Sequence, residues 1–129
     1  MAKSWNDKYN NGKEPIVKNL EKDFSDMQRG DRMLIATPKI IDQYIRQIPE
    51  GKKVDLKTMR KDLALDFSAD NMCPLTTGIF LRIVVEKAYE EHQSVSSLDS
   101  ITPFWRVLDA KSSLIKKLTF DIDNYLGLE

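Results

Sequence analysis

The chain has 129 residues, 41% of them hydrophobic, and 20 Lys and Arg balance 20 Asp and Glu. This excludes collagenous and wholly disordered chains and points to one globular unit able to bury a core. One Cys and one His leave no pair for an intrachain disulfide and no soft tetrahedral set for structural zinc, so the fold rests on packing and suits a reducing compartment.

No run approaches the length of a membrane span, and Met1 to Asn11 is polar rather than an apolar signal core, so a cytoplasmic protein without a membrane partner is expected. A net charge of zero disfavours nucleic-acid binding through global charge, although it says nothing of where the charges sit.

Residues 1 to 14 mix Trp5 and Tyr9 with Asn6, Asn10, Asn11 and Gly12, a turn-rich composition that reads as an arm. After Pro15, the spacing of Ile16, Val17, Leu20 and Phe24 predicts a helix with one apolar face. Met33 to Ala36 reads as a short strand after Gly30. Thr37-Pro38 then has the form of an N-cap and first helical residue, opening a helix striped by Ile40, Ile41, Tyr44, Ile45 and Ile48 and stopped at Pro49-Glu50-Gly51.

Asp55 is the expected cap of the next helix, with Leu56, Met59, Leu63 and Phe67 inward and Lys57, Arg60 and Lys61 outward. A break follows at Ser68 to Pro74. From Leu75 to His92 the apolar residues predict a helix buried on most sides, with Thr76 or Thr77 as its cap. Beyond a Ser-rich loop, Phe104, Trp105 and Val107 fit a strand or a tight buried segment, and Leu114, Ile115, Leu118 and Phe120 follow a helical pattern before an acidic tail.

Four pieces in order carry a resemblance: Ile48-Pro49-Glu50-Gly51-Lys52 after a helix, the helix Asp55 to Ala64 ending in Leu-Ala, Thr77-Gly78 before an apolar helix, and Pro103-Phe104-Trp105-Arg106-Val107. Together they resemble the DNA-binding domain of the alkylguanine-DNA alkyltransferases and alkyltransferase-like proteins, over roughly residues 37 to 110. The implied fold is mainly α with minor β, a winged-helix-like domain over 37–129. Residues 1–36 are then an arm and an N-terminal helical extension packed on it.

In active members of that family the last motif reads Pro-Cys-His-Arg-Val; its Cys accepts the alkyl group and its His helps form the thiolate. Phe104 and Trp105 stand at those positions, so a degenerate motif (Pro103, Phe104, Trp105, Arg106) and a protein that is not an enzyme are expected, with no catalytic residue, cofactor or metal. The family's Arg finger, which fills the gap left by a flipped base, falls on Leu75, and its nucleotide-displacing Tyr falls on Leu56. A Leu there could still wedge between base steps.

Residues 51–62 carry five basic against two acidic residues, and residues 106–117 four against one. The expected DNA contacts are therefore Lys52, Lys53, Lys57, Arg60 and Lys61, with Leu75, Thr76, Thr77 and Gly78 at the start of the recognition helix. Weak duplex DNA binding in a repair-related role is the leading expectation; a protein-interaction module that kept the fold and lost DNA is the other.

Plainer readings compete at each position. The basic run also reads as a solvated helix face, Phe104 and Trp105 as core fillers, and Arg106 as a structural ion pair or a cap on backbone carbonyls. Cys73 reads as structural, His92 as a surface residue near a helix end, Asp62, Asp66 and Asp70 as a solvated face, and Arg29-Gly30-Asp31 as a turn.

Overall fold

In a computed structural model, which describes residues 4–95, 97–109 and 111–128, the chain is mainly α with one small sheet. The first helix is α1 (Trp5–Tyr9), in the segment read as an irregular arm. Ser4 accepts from the Asp7 amide and Asp7 reaches back to the Ser4 amide, a reciprocal cap.

The helix expected after Pro15 is instead a strand, β1 (Ile16–Asn19), paired antiparallel with β2 (Arg32–Ile35) from Ile16↔Ile35 to Asn19↔Arg32. β-Branched Ile16 and Val17 suit a pleated strand as well as a helix, and the partner strand decides the matter by supplying ladder hydrogen bonds. The hairpin closes where Leu20 donates to the Asp31 carbonyl and Gly30, at φ +92°, donates back to the Leu20 carbonyl. Arg29-Gly30-Asp31 is thus a turn, as expected.

Helix α2 (Pro38–Arg46) begins as expected, with the Thr37 hydroxyl accepting from the Ile40 amide and Pro38 at the first turn. It buries Ile41 and Ile45 completely, with Ile48 beyond its end. Gly51 turns the chain at φ +83°, and Asp55 caps α3 (Leu56–Asp66) by accepting from the Thr58 amide at 2.7 Å. The two helices form the crossover to β3 (Asn71–Met72), which pairs parallel to β2.

The longest element is α4 (Pro74–Val95). It starts one residue before Leu75, so Thr76 and Thr77 lie within it; neither is its cap, and the Thr77 hydroxyl donates to the Cys73 carbonyl one turn back at 2.6 Å. Leu81, Val84, Val85 and Ala88 of α4 join Leu34, Ile41, Ile45, Met59, Met72, Phe104, Leu108 and Ile122 in one core. The remaining chain winds around α4. Short 3-10 turns at Leu98–Ser100, Phe104–Arg106 and Ser113–Lys117 lead to α5 (Asp123–Leu126). The helical pattern of Leu114 to Phe120 therefore yields only a tight turn, and Phe104-Trp105 is a buried turn rather than a strand.

Candidate functional site

The first turns of α3 and α4 come together on an open groove of about 720 Å³. The cap at Asp55 sets Leu56, Lys57 and Arg60 along one wall. Leu75, Gly78, Ile79 and Arg82 recur at one helical face of α4 and form the opposite wall. Ser113, Leu114 and Lys117 close one side, Asp26 of the hairpin connection another, and α1 adds Trp5 and Lys8. Leu75 and Ile79 are 63% and 51% exposed, an unusual state for two large apolar side chains on one face of the central helix.

Five cations and one carboxylate line this groove. Arg60 and Asp26 satisfy each other, and the Arg60 side chain holds the Asp26 carboxyl below the ordinary aspartate range by hydrogen bonding, with the charge of Arg60 adding to the effect. Arg82 lies 3.7 Å from the buried Glu86 carboxylate. Among the described residues, Lys57 and Lys117 have no carboxylate at ion-pair distance, and both are exposed. Lys8 packs its ammonium 4.4 Å from the centre of the Trp5 ring. The unneutralised charge of the rim is positive.

Five of the nine residues expected to touch DNA line this groove, and they divide between two roles. Leu56's neighbour Lys57, together with Leu75 and Gly78, lines the groove with open access. Arg60 and Thr77 also line it, but both are buried. The outward placement expected for Arg60 is wrong: it is 8% exposed, with Nε and Nη2 donating to the Met72 carbonyl at 2.9 and 2.8 Å. A carbonyl and a carboxylate within reach make burial of the guanidinium tolerable. Lys61 is exposed outside the groove. So are Lys52 and Lys53, the latter 3.4 Å from the Leu126 carbonyl. Thr76 is half-buried with its hydroxyl unpartnered.

The degenerate motif is elsewhere. Phe104 is fully buried and Trp105 is 4% exposed, in an aromatic cluster with Phe120 and Tyr125; they are core fillers. Pro103, Trp105 and Arg106 line a separate hollow of about 290 Å³ with Arg46 and Glu50. Arg106 caps a carbonyl, donating from Nη1 to Ile48 at 2.8 Å.

Other singled-out groups have structural partners. Cys73 is buried beside Met27 and Met33, and His92, half-buried rather than at the surface, places Nδ1 2.8 Å from the Tyr125 hydroxyl. Asp62 accepts from the Tyr44 hydroxyl and Asp70 from the Arg32 amide. Among the described residues no group of His, Cys, Asp and Glu could hold a metal ion, and no helix is long and apolar enough to cross a membrane.

Trp5, Lys8, Asp26, Ile79, Arg82 and Lys117 belong to the groove but escape the sequence reading. Ile79 and Arg82 carry a signal, being one and two turns on from Leu75. The others arrive by tertiary packing, which leaves no mark in local spacing. No family of known proteins, no curated protein and no solved structure matches the chain.

Proposed function

We propose that this chain is a non-enzymatic, alkyltransferase-like protein on a winged-helix scaffold that binds duplex DNA weakly through the α3–α4 groove, in a repair-related role in the cytoplasm. One observation carries the reading: Lys57 of α3 and Leu75 and Gly78 of α4, assigned to DNA from separate stretches of sequence, share one groove whose free charge is positive. Phosphate neutralisation by Lys8, Lys57 and Lys117 supplies the affinity, and Leu75 meets the bases as an apolar wedge. Alkyl transfer finds no support, because the motif positions hold Phe104 and Trp105 and the chain's one thiol, Cys73, is buried away from them.

Binding of a labelled duplex is measured across a salt series. With about three phosphates neutralised, log K falls with log salt with a slope of about −3, and Lys57→Glu with Lys117→Glu abolishes binding. Absence of binding by the wild-type protein at low salt, to damaged and undamaged duplex alike, defeats the reading. The exposure of Leu75 and Ile79 favours a second one, a protein-interaction module; it predicts that Leu75→Ser removes a partner contact while the Lys57→Glu, Lys117→Glu variant keeps it.

A further inference from the structure

We propose that α1 is a working wall of the groove, in which Trp5 and Lys8 contact the bound polyanion and Tyr9 positions them. This rests on the reading of the groove as a DNA site. A five-residue helix has no stability of its own in water, so its place is set by what holds it. Tyr9 donates from its hydroxyl to Asp42 of α2 at 2.5 Å, and Lys87 of α4 lies 4.5 Å from the Tyr9 ring centre. Asp42 is 5% exposed and also accepts from Arg46 at 3.0 Å and from Thr102. A buried carboxylate with three donors has one satisfactory arrangement, so the arm docks in one place rather than sliding on an apolar face.

That docking sets the Trp5 ring 4.4 Å from the Lys8 ammonium and 5.1 Å from the Arg82 guanidinium, and all three residues line the groove. The sign of the charge separates a wall from a plug. An arm that blocked a basic groove would offer it acid. Here the carboxylate of α1, Asp7, is turned to the Ser4 amide in the helix cap, and the groove receives Lys8, of the same sign as Lys57 and Lys117. The arm therefore extends the basic rim and adds an aromatic face on which a base or sugar can pack.

The test measures binding of a labelled duplex about two helical turns long over a salt series for wild type, Lys8→Gln, Trp5→Ala, Tyr9→Phe and Lys57→Gln, each with its urea midpoint. Lys8→Gln is expected to weaken binding about fivefold and to lower the salt slope by about one. Trp5→Ala weakens it about tenfold at an unchanged slope, and Tyr9→Phe weakens it less than either. Lys8→Gln changes only a side-chain head group and keeps the proposal testable should Trp5→Ala unfold. Wild-type affinity and slope in Lys8→Gln, alongside weakened Lys57→Gln, overturns the role of the arm and leaves the DNA reading standing. Tighter binding by the arm variants overturns it in favour of a lid. No binding by wild type overturns both.

Discussion

Arg60 of α3 and Asp26 of the hairpin connection clasp each other through two parallel hydrogen bonds, Nη1 to Oδ2 at 3.0 Å and Nη2 to Oδ1 at 2.9 Å. The same guanidinium holds the Met72 carbonyl of β3, so one side chain joins the hairpin, the sheet and the helix that forms a groove wall. Its two ends are unequal, since the Arg60 side chain is 10% exposed and that of Asp26 is 42% exposed.

Substituting the buried end is accordingly the costly change. Arg60→Leu is expected to lower stability by about 2–3 kcal/mol, chiefly through the orphaned Met72 carbonyl. Asp26→Asn, at the solvated end, costs under about 1 kcal/mol. The Asp26 carboxyl is held below its ordinary range by Arg60, so its contribution is complete above the usual aspartate pKa of about 4 and disappears as pH falls through the lower, folded value. Urea midpoints of wild type and Asp26→Asn should therefore differ at neutral pH and converge in acid. A gap that widens in acid contradicts the assignment.

Tyrosine ionisation reports the same architecture from the alkaline side. Burial, then the hydrogen bond to Asp42, raises the Tyr9 phenol well above its usual value; burial and the bond to Asp62 do the same for Tyr44. Tyr125 is raised by burial. A raised folded pKa means stabilisation that is full below the usual phenol value of about 10 and lost as pH climbs through the folded one. Phenolate absorbance of the folded protein should thus rise later than that of the urea-unfolded chain. Tyr9→Phe and Tyr44→Phe should each remove one late-titrating group, and a wild-type curve that overlays the unfolded one would contradict both hydrogen bonds.

Where the sequence was informative, the cause was local. Thr37-Pro38 and Asp55 announce helix starts because their side chains satisfy amides within the next turn, and the Ile41–Ile45 stripe reads directly as core. The failures are places where distant partners outweigh local pattern. Ile16 and Val17 become a strand because β2 pairs with them. Arg60 turns inward because Asp26 and Met72, far along the chain, meet it. Half of the groove was visible as the Lys57 and Leu75–Gly78 segments; Trp5, Lys8 and Lys117 reach it only through packing around α4.

Phe104 is expected to be intolerant of the residue the alkyltransferase motif would place there. It is fully buried, with ring centres of Trp105, Tyr125 and Phe120 at 5.3, 5.0 and 6.1 Å. Truncation leaves a cavity among rings that cannot all collapse, so Phe104→Ala should cost about 3–5 kcal/mol and Phe104→Leu about half as much. Phe104→Cys with Trp105→His should lose stability on the same scale and take up no labelled methyl from alkylated duplex, because the new thiol would lie in the core. Methyl uptake by a folded double variant would show that the site opens.

Glu86 of α4 is the deepest carboxylate among the described residues, at 1% exposure. Its Oε2 accepts from the Thr119 amide at 3.0 Å and its Oε1 from the Thr119 hydroxyl at 2.6 Å. Arg82, on the groove wall, stands 3.7 Å away. Thr119 thereby fastens the winding C-terminal segment to the central helix, and the carboxylate depends on those donors, since water does not reach it. Thr119→Val keeps the shape and the amide but deletes the hydroxyl donor, and should lower stability by about 1–3 kcal/mol; Thr119→Ser keeps that donor and should avoid most of the loss. Glu86→Ala removes the acceptor for both bonds and leaves Arg82 without its counter-charge, so it should be costlier, about 3 kcal/mol or more. A double-mutant cycle between positions 86 and 119, read from urea midpoints, isolates the coupling from the packing change. Additive single effects would mean that Glu86 is satisfied by other donors and that Thr119 is held by packing alone.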